Sequence, residues 1–255
     1  MGVLEERLRA VRDTGAKAFV PYVTGGLGGV DADLLRGLHA AGADAIEVGI
    51  PHSDPIMDGG VVQEASRMSL ERGTRPSDVL DVIAEAKLET PVAVMTYANP
   101  VVRIGFDRFA DELAAAGVAG AIVPDLPFDE AMAFEAAASA RKIDVVLLAA
   151  PGSADERIAR IAGASRGFVY CVATYGVTGA REELGSTARG VVASLRPHTD
   201  LPLLVGVGIS TPEQAASACA FADGVIVGSA LVAPMLEGDR ARALQLAKAF
   251  REAIE

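Results

Sequence analysis

Eight short runs of β-branched and apolar residues recur along the chain: AFVPYVT (18–24), DAIEVGI (44–50), PVAVMTY (91–97), AGAIVPD (119–125), IDVVLLA (143–149), GFVYCVA (167–173), PLLVGVG (202–208) and DGVIVGS (223–229). Between them lie stretches with helical spacing, among them DADLLRGLHAAG, PSDVLDVIAEAKLE, FDRFADELAAAG, DEAMAFEAAASARK, ADERIARIAGAS and TPEQAASACAF. The runs are apolar nearly throughout, as parallel strands buried on both faces are. Strands that alternate with helices in this way build βαβ units. Eight such units, with no break in composition, predict a closed (β/α)8 barrel, the TIM barrel, for which about 250 residues is typical. An open doubly wound sheet is the alternative. Against it, the glycine-rich TGGLGG after the first run lacks the spacing of a dinucleotide fingerprint. We therefore expect one domain over residues 1–255, with the helical pattern at 3–13 covering the bottom of the barrel.

The formal net charge of -11, with no basic cluster, argues against nucleic acid and against an anionic membrane surface. It leaves a phosphorylated substrate open, since backbone N–H groups bind phosphate without Lys or Arg. The amino terminus, MGVLEERLRAVRD, lacks the apolar core of a signal peptide, and Glu6 breaks the myristoylation pattern. No stretch reaches the ~18 apolar residues of a membrane span. Cys171 and Cys219 sit in apolar contexts without metal spacing, and buried free thiols in a reducing cytoplasm are expected.

Barrel chemistry sits at the C-terminal ends of the strands. Two connections there are longer than the barrel needs, one from Pro51 to about Thr74 and one from Ala173 to about Ser186. Both are candidates for lids or binding surfaces. Glu47 stands inside a run that otherwise reads as a buried strand. It is either a structural carboxylate held by backbone donors or a group kept for proton exchange, with a pKa raised by burial. Asp54 and Asp58 flank a turn in PHSDPIMDGG (51–60). Turn formation accounts for Asp54. Asp58 could close over Glu47 and make an acid–base pair with it.

Glycine-rich turns GVTG (176–179), GVGIS (206–210) and GS (228–229) follow strands six, seven and eight. The last two are where barrels often bind phosphate, and helix N-termini after them would add N–H donors. His39 lies in a helix pattern and His198 in a loop; these two and His52 show no metal spacing, so no metal is expected. Lys17, Lys87 and Lys142 lie away from the C-terminal ends of the strands, which disfavours a Schiff-base aldolase. Tyr22, Tyr97 and Tyr170 fall within strand runs, where they fill the core or face a pocket.

FVPYVTGG, EVGIPHSDPIMDGGVVQ, MTYANP, GVTGAR and GVGIS followed by GVIVGSA resemble, in order and over nearly the whole chain, the alpha subunit of tryptophan synthase. The resemblance implies retro-aldol cleavage of indole-3-glycerol phosphate to indole and glyceraldehyde 3-phosphate. It implies Glu47 as the acid–base residue at the indole carbon and Asp58 as the partner of the indole N–H. Gly179, Gly208, Gly228 and Ser229 match phosphate-binding positions, and Tyr22, Tyr97 and Tyr170 match pocket positions. It further implies an α2β2 complex in which pyridoxal phosphate belongs to the beta subunit and none to this chain. Asp54 and Pro55 would then lie at the interface with that partner. Thr174-Tyr175, EELGSTARG (182–190) and His52 depart from the family pattern. His52 keeps a ring where many relatives have an aromatic residue, but a titratable one, so a pH effect on loop closure is expected. A sugar-phosphate isomerase, or a non-catalytic activator of a beta subunit, are the competing functions.

Overall fold

The computed structural model describes residues 1–173, 181–206 and 208–255, with backbone alone for 181–185. Its strands are β1 (Ala18–Thr24), β2 (Ile46–Gly49), β3 (Val92–Met95), β4 (Gly120–Ile122), β5 (Asp144–Ala149), β6 (Val169–Val172), β7 (Leu203–Gly206) and β8 (Gly224–Val227). Each pairs in parallel with its neighbour in sequence, and β8 returns to β1, so the sheet closes into a barrel in the order β1 to β8. All eight runs seen in the sequence become strands. They are mostly shorter than the apolar runs because residues at each end serve the loops.

Around the barrel lie α1 (Val3–Asp13), α2 (Ala32–Ala40), α3 (Gly60–Glu71), α4 (Pro76–Ala86), α5 (Ala98–Ile104), α6 (Phe106–Ala115), α7 (Phe128–Ser139), α8 (Asp155–Ala164), α9 (Arg181–Leu195), α10 (Pro212–Cys219), α11 (Ser229–Leu236) and α12 (Arg240–Ala253). Strand residues alternate between two apolar layers, as a period of two requires. Phe19, Ile46, Val48, Val94 and Val225 pack outward against the helices. Val20, Ala93, Val146, Leu204 and Ile226 fill the interior.

The helix at the amino terminus closes the bottom as expected. Leu4 and Leu8 of α1 are fully buried in the interior cluster, beside the small Ala18, Ala45, Ala93 and Ala119. The neighbouring Gly120 belongs to this fit, since a Cβ there would overlap Leu4. The first turn of α1 is capped from another element: Asp144 of β5 accepts N–H groups from Gly2 at 3.2 Å and Glu5 at 2.9 Å.

Three local expectations are corrected. The connection from Pro51 to Thr74 contains a helix, α3, rather than being loop throughout. Its buried face is Val62, Ala65, Ser66 and Ser69, packed on β1 and α11. Small and hydroxylated residues allow that close packing, and Ser69 satisfies its own hydroxyl on the Ala65 carbonyl. They also leave little apolar periodicity to read. Helix α9 begins at Arg181, ahead of the Ser186 expected. His198 sits in a short 3-10 turn, Arg196–His198, rather than in open loop.

Candidate active site

Alternation along β2 fixes where Glu47 points. Ala45 belongs to the interior cluster, whereas Ile46 and Val48 belong to the outer layer, so Glu47 faces into the barrel. Its neighbours in register are Tyr22 on β1 and Ala93 on β3. Glu47 is 1% exposed, and among the described residues its Oε2 meets no hydrogen-bond partner. A carboxylate held for structure would be paired. Burial, and then the charge of Asp58, push its pKa up to about 8.

Asp58 arrives from the loop that follows β2. Turn bonds shape that loop: Ile56 N–H donates to the Asp54 carbonyl and Asp58 N–H to the Pro55 carbonyl, both at 3.0 Å. Gln63, from the first turn of α3, donates to the Asp58 carbonyl at 2.9 Å. The Tyr97 hydroxyl donates to Asp58 Oδ2 at 3.1 Å and accepts the Met57 N–H at 3.1 Å. Burial pushes the Asp58 carboxyl up to about 6, against the pull of the Tyr97 hydroxyl. Asp54, by contrast, is exposed, and its N–H donates to His52 Nδ1 at 3.2 Å.

The three tyrosines converge on this pair by different routes. Tyr22 and Tyr170 rise from β1 and β6 and are buried. Burial raises both phenols well above their ordinary pKa, with the carboxyl charges of Asp58 and Glu47 adding to it. They stay protonated. Each fits because the facing strand carries glycine: a Cβ at Gly49 would overlap the Tyr22 hydroxyl, and one at Gly206 the Tyr170 hydroxyl. Tyr97 is not in a strand, as its run suggested. β3 ends at Met95, and Tyr97 is the N-cap of α5. The ANP that follows starts that helix, with Pro100 in the first turn, where its missing N–H is tolerated. Sequence reasoning missed α5 and the residue that anchors it, Asp125 after β4, whose Oδ1 accepts the Ala98 N–H at 2.8 Å.

The glycine turns differ in what they offer. Gly208 adopts a φ of +91° and is exposed after β7. The helix beyond it, α10, caps itself: Thr211 and Gln214 form a capping box, and Gln214 Oε1 also accepts the Ser210 N–H at 2.8 Å. Helix α11 starts differently. Gly228 is its N-cap without a side-chain cap, and the first helical bond is Leu231 N–H to the Gly228 carbonyl at 2.8 Å. The amides of Ser229 and Ala230 precede that bond and stand at the positive end of the helix. Gly179, the rest of GVTG and Thr174-Tyr175 lie outside the described residues. Among the described residues no three His, Cys, Asp or Glu converge on a metal position.

A closed α/β barrel with Glu47 buried inside it, the half-buried Asp58 coupled to it electrostatically from the loop after β2, and the uncapped start of α11 at Gly228 close to Tyr22, defines an acid–base barrel enzyme. A family model described as tryptophan synthase alpha chain matches residues 8–254. The tryptophan synthase alpha chain of Streptomyces avermitilis is 43% identical over 253 residues, covering 97% of this chain and 91% of that protein. That of Synechocystis is 42% identical over 259 residues, covering 98% and 97%. A structure of tryptophan synthase from Mycobacterium tuberculosis superposes with a TM-score of 0.90 at 39% identity, covering 99% of this chain and 98% of that one. The alpha chain of Legionella pneumophila gives 0.86 at 34% identity, covering 100% and 97%. The chain belongs to the tryptophan synthase alpha chain family.

Proposed function

We propose that this chain, acting as one domain over residues 1–255, catalyses the alpha reaction of tryptophan biosynthesis, the cleavage of indole-3-glycerol phosphate to indole and glyceraldehyde 3-phosphate. The observation that carries the assignment of roles is the buried Glu47, whose Oε2 meets no hydrogen-bond partner among the described residues and whose carboxyl feels the charge of Asp58. Glu47, protonated near neutral pH, gives its proton to the indole carbon that bears the side chain. As the carbon–carbon bond breaks, its electrons return to the ring, and the resulting Glu47 carboxylate takes the proton of the glycerol hydroxyl, which becomes the aldehyde. The proton balance closes on one residue. Asp58, ionised, accepts the ring N–H and offsets the positive charge that ring protonation creates.

Tyr22, Tyr97 and Tyr170 line the indole pocket. The phosphate lies against Gly208, Gly228 and Ser229, with Gly179 from the loop after β6, and is held mainly by backbone N–H groups. Binding energy from this remote end holds the reacting end in place. Because two carboxyls complete the reaction, this chain needs no cofactor or metal, and pyridoxal phosphate belongs to the beta partner. Asp54 and Pro55 contact that partner in an α2β2 complex. Ile56 at 66%, Met57 at 38% and Val102 at 58% exposed extend that face with apolar surface. Among the described residues no helix is long and apolar enough to cross a membrane, and we place the enzyme in the cytoplasm.

The test is product analysis. Indole and glyceraldehyde 3-phosphate should form in equal amounts when the chain and a beta subunit meet indole-3-glycerol phosphate. Binding of the beta subunit without indole release would favour a non-catalytic activator instead.

A further inference from the structure

Resting on that reading, we infer that Tyr97 is a positioning residue for the cleavage: its phenol clamps the loop after β2 so that Asp58 stands at the ring nitrogen. The hydroxyl makes two bonds of opposite sense. It accepts the Met57 N–H and donates to Asp58 Oδ2, each at 3.1 Å. A phenol can do both at once, whereas a phenylalanine ring can do neither. The ring also stacks on His52, with centroids 4.8 Å apart and planes 21° apart. Tyr97 therefore holds the loop near its start, at His52, and near its end, at Met57 and Asp58.

The other bonds within the loop are local turns, and Gln63 belongs to the helix into which the loop runs. Ile50 N–H, directly after β2, still donates to the Met95 carbonyl at 2.8 Å; from Pro51 to Asp58, between described residues, the hydrogen bonds that tie the loop to the rest of the barrel both end on the Tyr97 hydroxyl. The clamp itself is anchored. Tyr97 is 2% exposed, and Asp125 fixes the next backbone amide, Ala98 N–H, from the loop after β4. The charged and titratable groups around this centre come from several elements: Glu47 on β2, Tyr22 on β1, Tyr170 on β6, Asp125 after β4 and His52 in the loop. Among the described residues, none of these hydrogen-bonds the Asp58 carboxylate; Tyr97 does, and its effect is to favour the ionised form.

Tyr97→Phe keeps the ring and the stack and removes both hydrogen bonds. Three readouts separate a clamp from a pocket wall. Hydrogen exchange at the Met57 amide should quicken about tenfold, since its acceptor is gone. The Asp58 carboxyl, followed by carbon-13 NMR, should titrate roughly one pH unit higher than in the wild type. In the complex with a beta subunit, kcat for indole release should fall about tenfold with KM changed less than about twofold, and the acid limb should move with Asp58. A rise in KM alone, with exchange and titration unchanged, would overturn the inference and leave Tyr97 a wall of the pocket. Absence of indole from the wild type would instead overturn the cleavage reading, which the exchange and titration arms do not depend on.

Discussion

At the bottom of the barrel Asp144 accepts the Gly2 and Glu5 N–H groups, Asp44 meets Arg7, Arg251 and the Phe19 N–H, and Glu5 meets Arg9 and the Gly167 N–H. At the top, among the described residues, Glu47 has a buried oxygen without a partner and Asp58 a single phenol on its carboxylate. The residue types are alike and Glu47 is as deeply buried as Asp144, Asp44 and Glu5, with Asp58 half-buried, but the surroundings differ. Bottom carboxyls tie helices and strands together, so they are satisfied. On the proposed function the top carboxyls change protonation or meet a substrate, which fits the capacity they have to spare. A buried polar atom without a partner destabilises the fold, and on the proposed function its persistence at one end of the barrel separates the reactive end from the structural one.

Asp144→Ala should give the largest change in stability. It leaves two buried N–H groups of α1 without acceptors and should destabilise by about 2–4 kcal/mol, read from urea unfolding. Activity per folded molecule should survive, because Asp144 lies at the other end of the barrel. Loss of activity with full stability would erase the contrast between the ends.

The pH dependence sharpens the contrast further. Indole release should rise through about 6 as Asp58 ionises and fall through about 8 as Glu47 loses its proton. Stability should move in one direction over the same range. Both carboxyls keep their protons to higher pH in the folded chain than in the unfolded one. The folded state therefore binds more protons from the ordinary carboxyl range up to about 8, and stability falls as pH rises through that window. A flat profile of both activity and stability would contradict the environment assigned to Glu47.

The smallest expected effect belongs to His52. Its Nδ1 accepts the Asp54 N–H, which a protonated ring cannot do. His52→Phe keeps a ring against Tyr97 but removes this acceptor. We expect a change in the acid limb of a few tenths of a pH unit and near-constant stability. An unchanged profile would show that the loop does not sense His52.

The barrel was legible because a parallel strand buried on both faces has few other sequences open to it, and all eight such runs became strands. Glu47 was legible for the converse reason, a charge in the middle of such a run. Asp44 and Asp144 carried the same signal at the first residues of DAIEVGI and near the start of IDVVLLA, and were missed. Position along the strand distinguishes them: a carboxylate at the N-terminal end meets α1 and α12, and one further along, inside β2, points into the barrel. Helix α3 was hidden because, Val62 apart, its buried face is built of Ala and Ser. Tyr97 was read as strand because β-branched and aromatic residues continue past Met95, although the helix start in ANP ends the strand there. The tie from Tyr97 to Asp58 joins residues 39 apart in sequence and has no local pattern.

The most direct test of the contrast is Glu47→Gln, with unfolding and indole release measured on the same preparation in the presence of a beta subunit. Glutamine keeps the shape and removes the proton chemistry. The account predicts a fall in kcat of about a thousandfold with substrate still bound, and a stability equal to or above that of the wild type, the gain growing from pH 5 to pH 8. A variant that keeps its activity, or one that loses stability as Asp144→Ala does, would place Glu47 among the structural carboxyls and contradict the account.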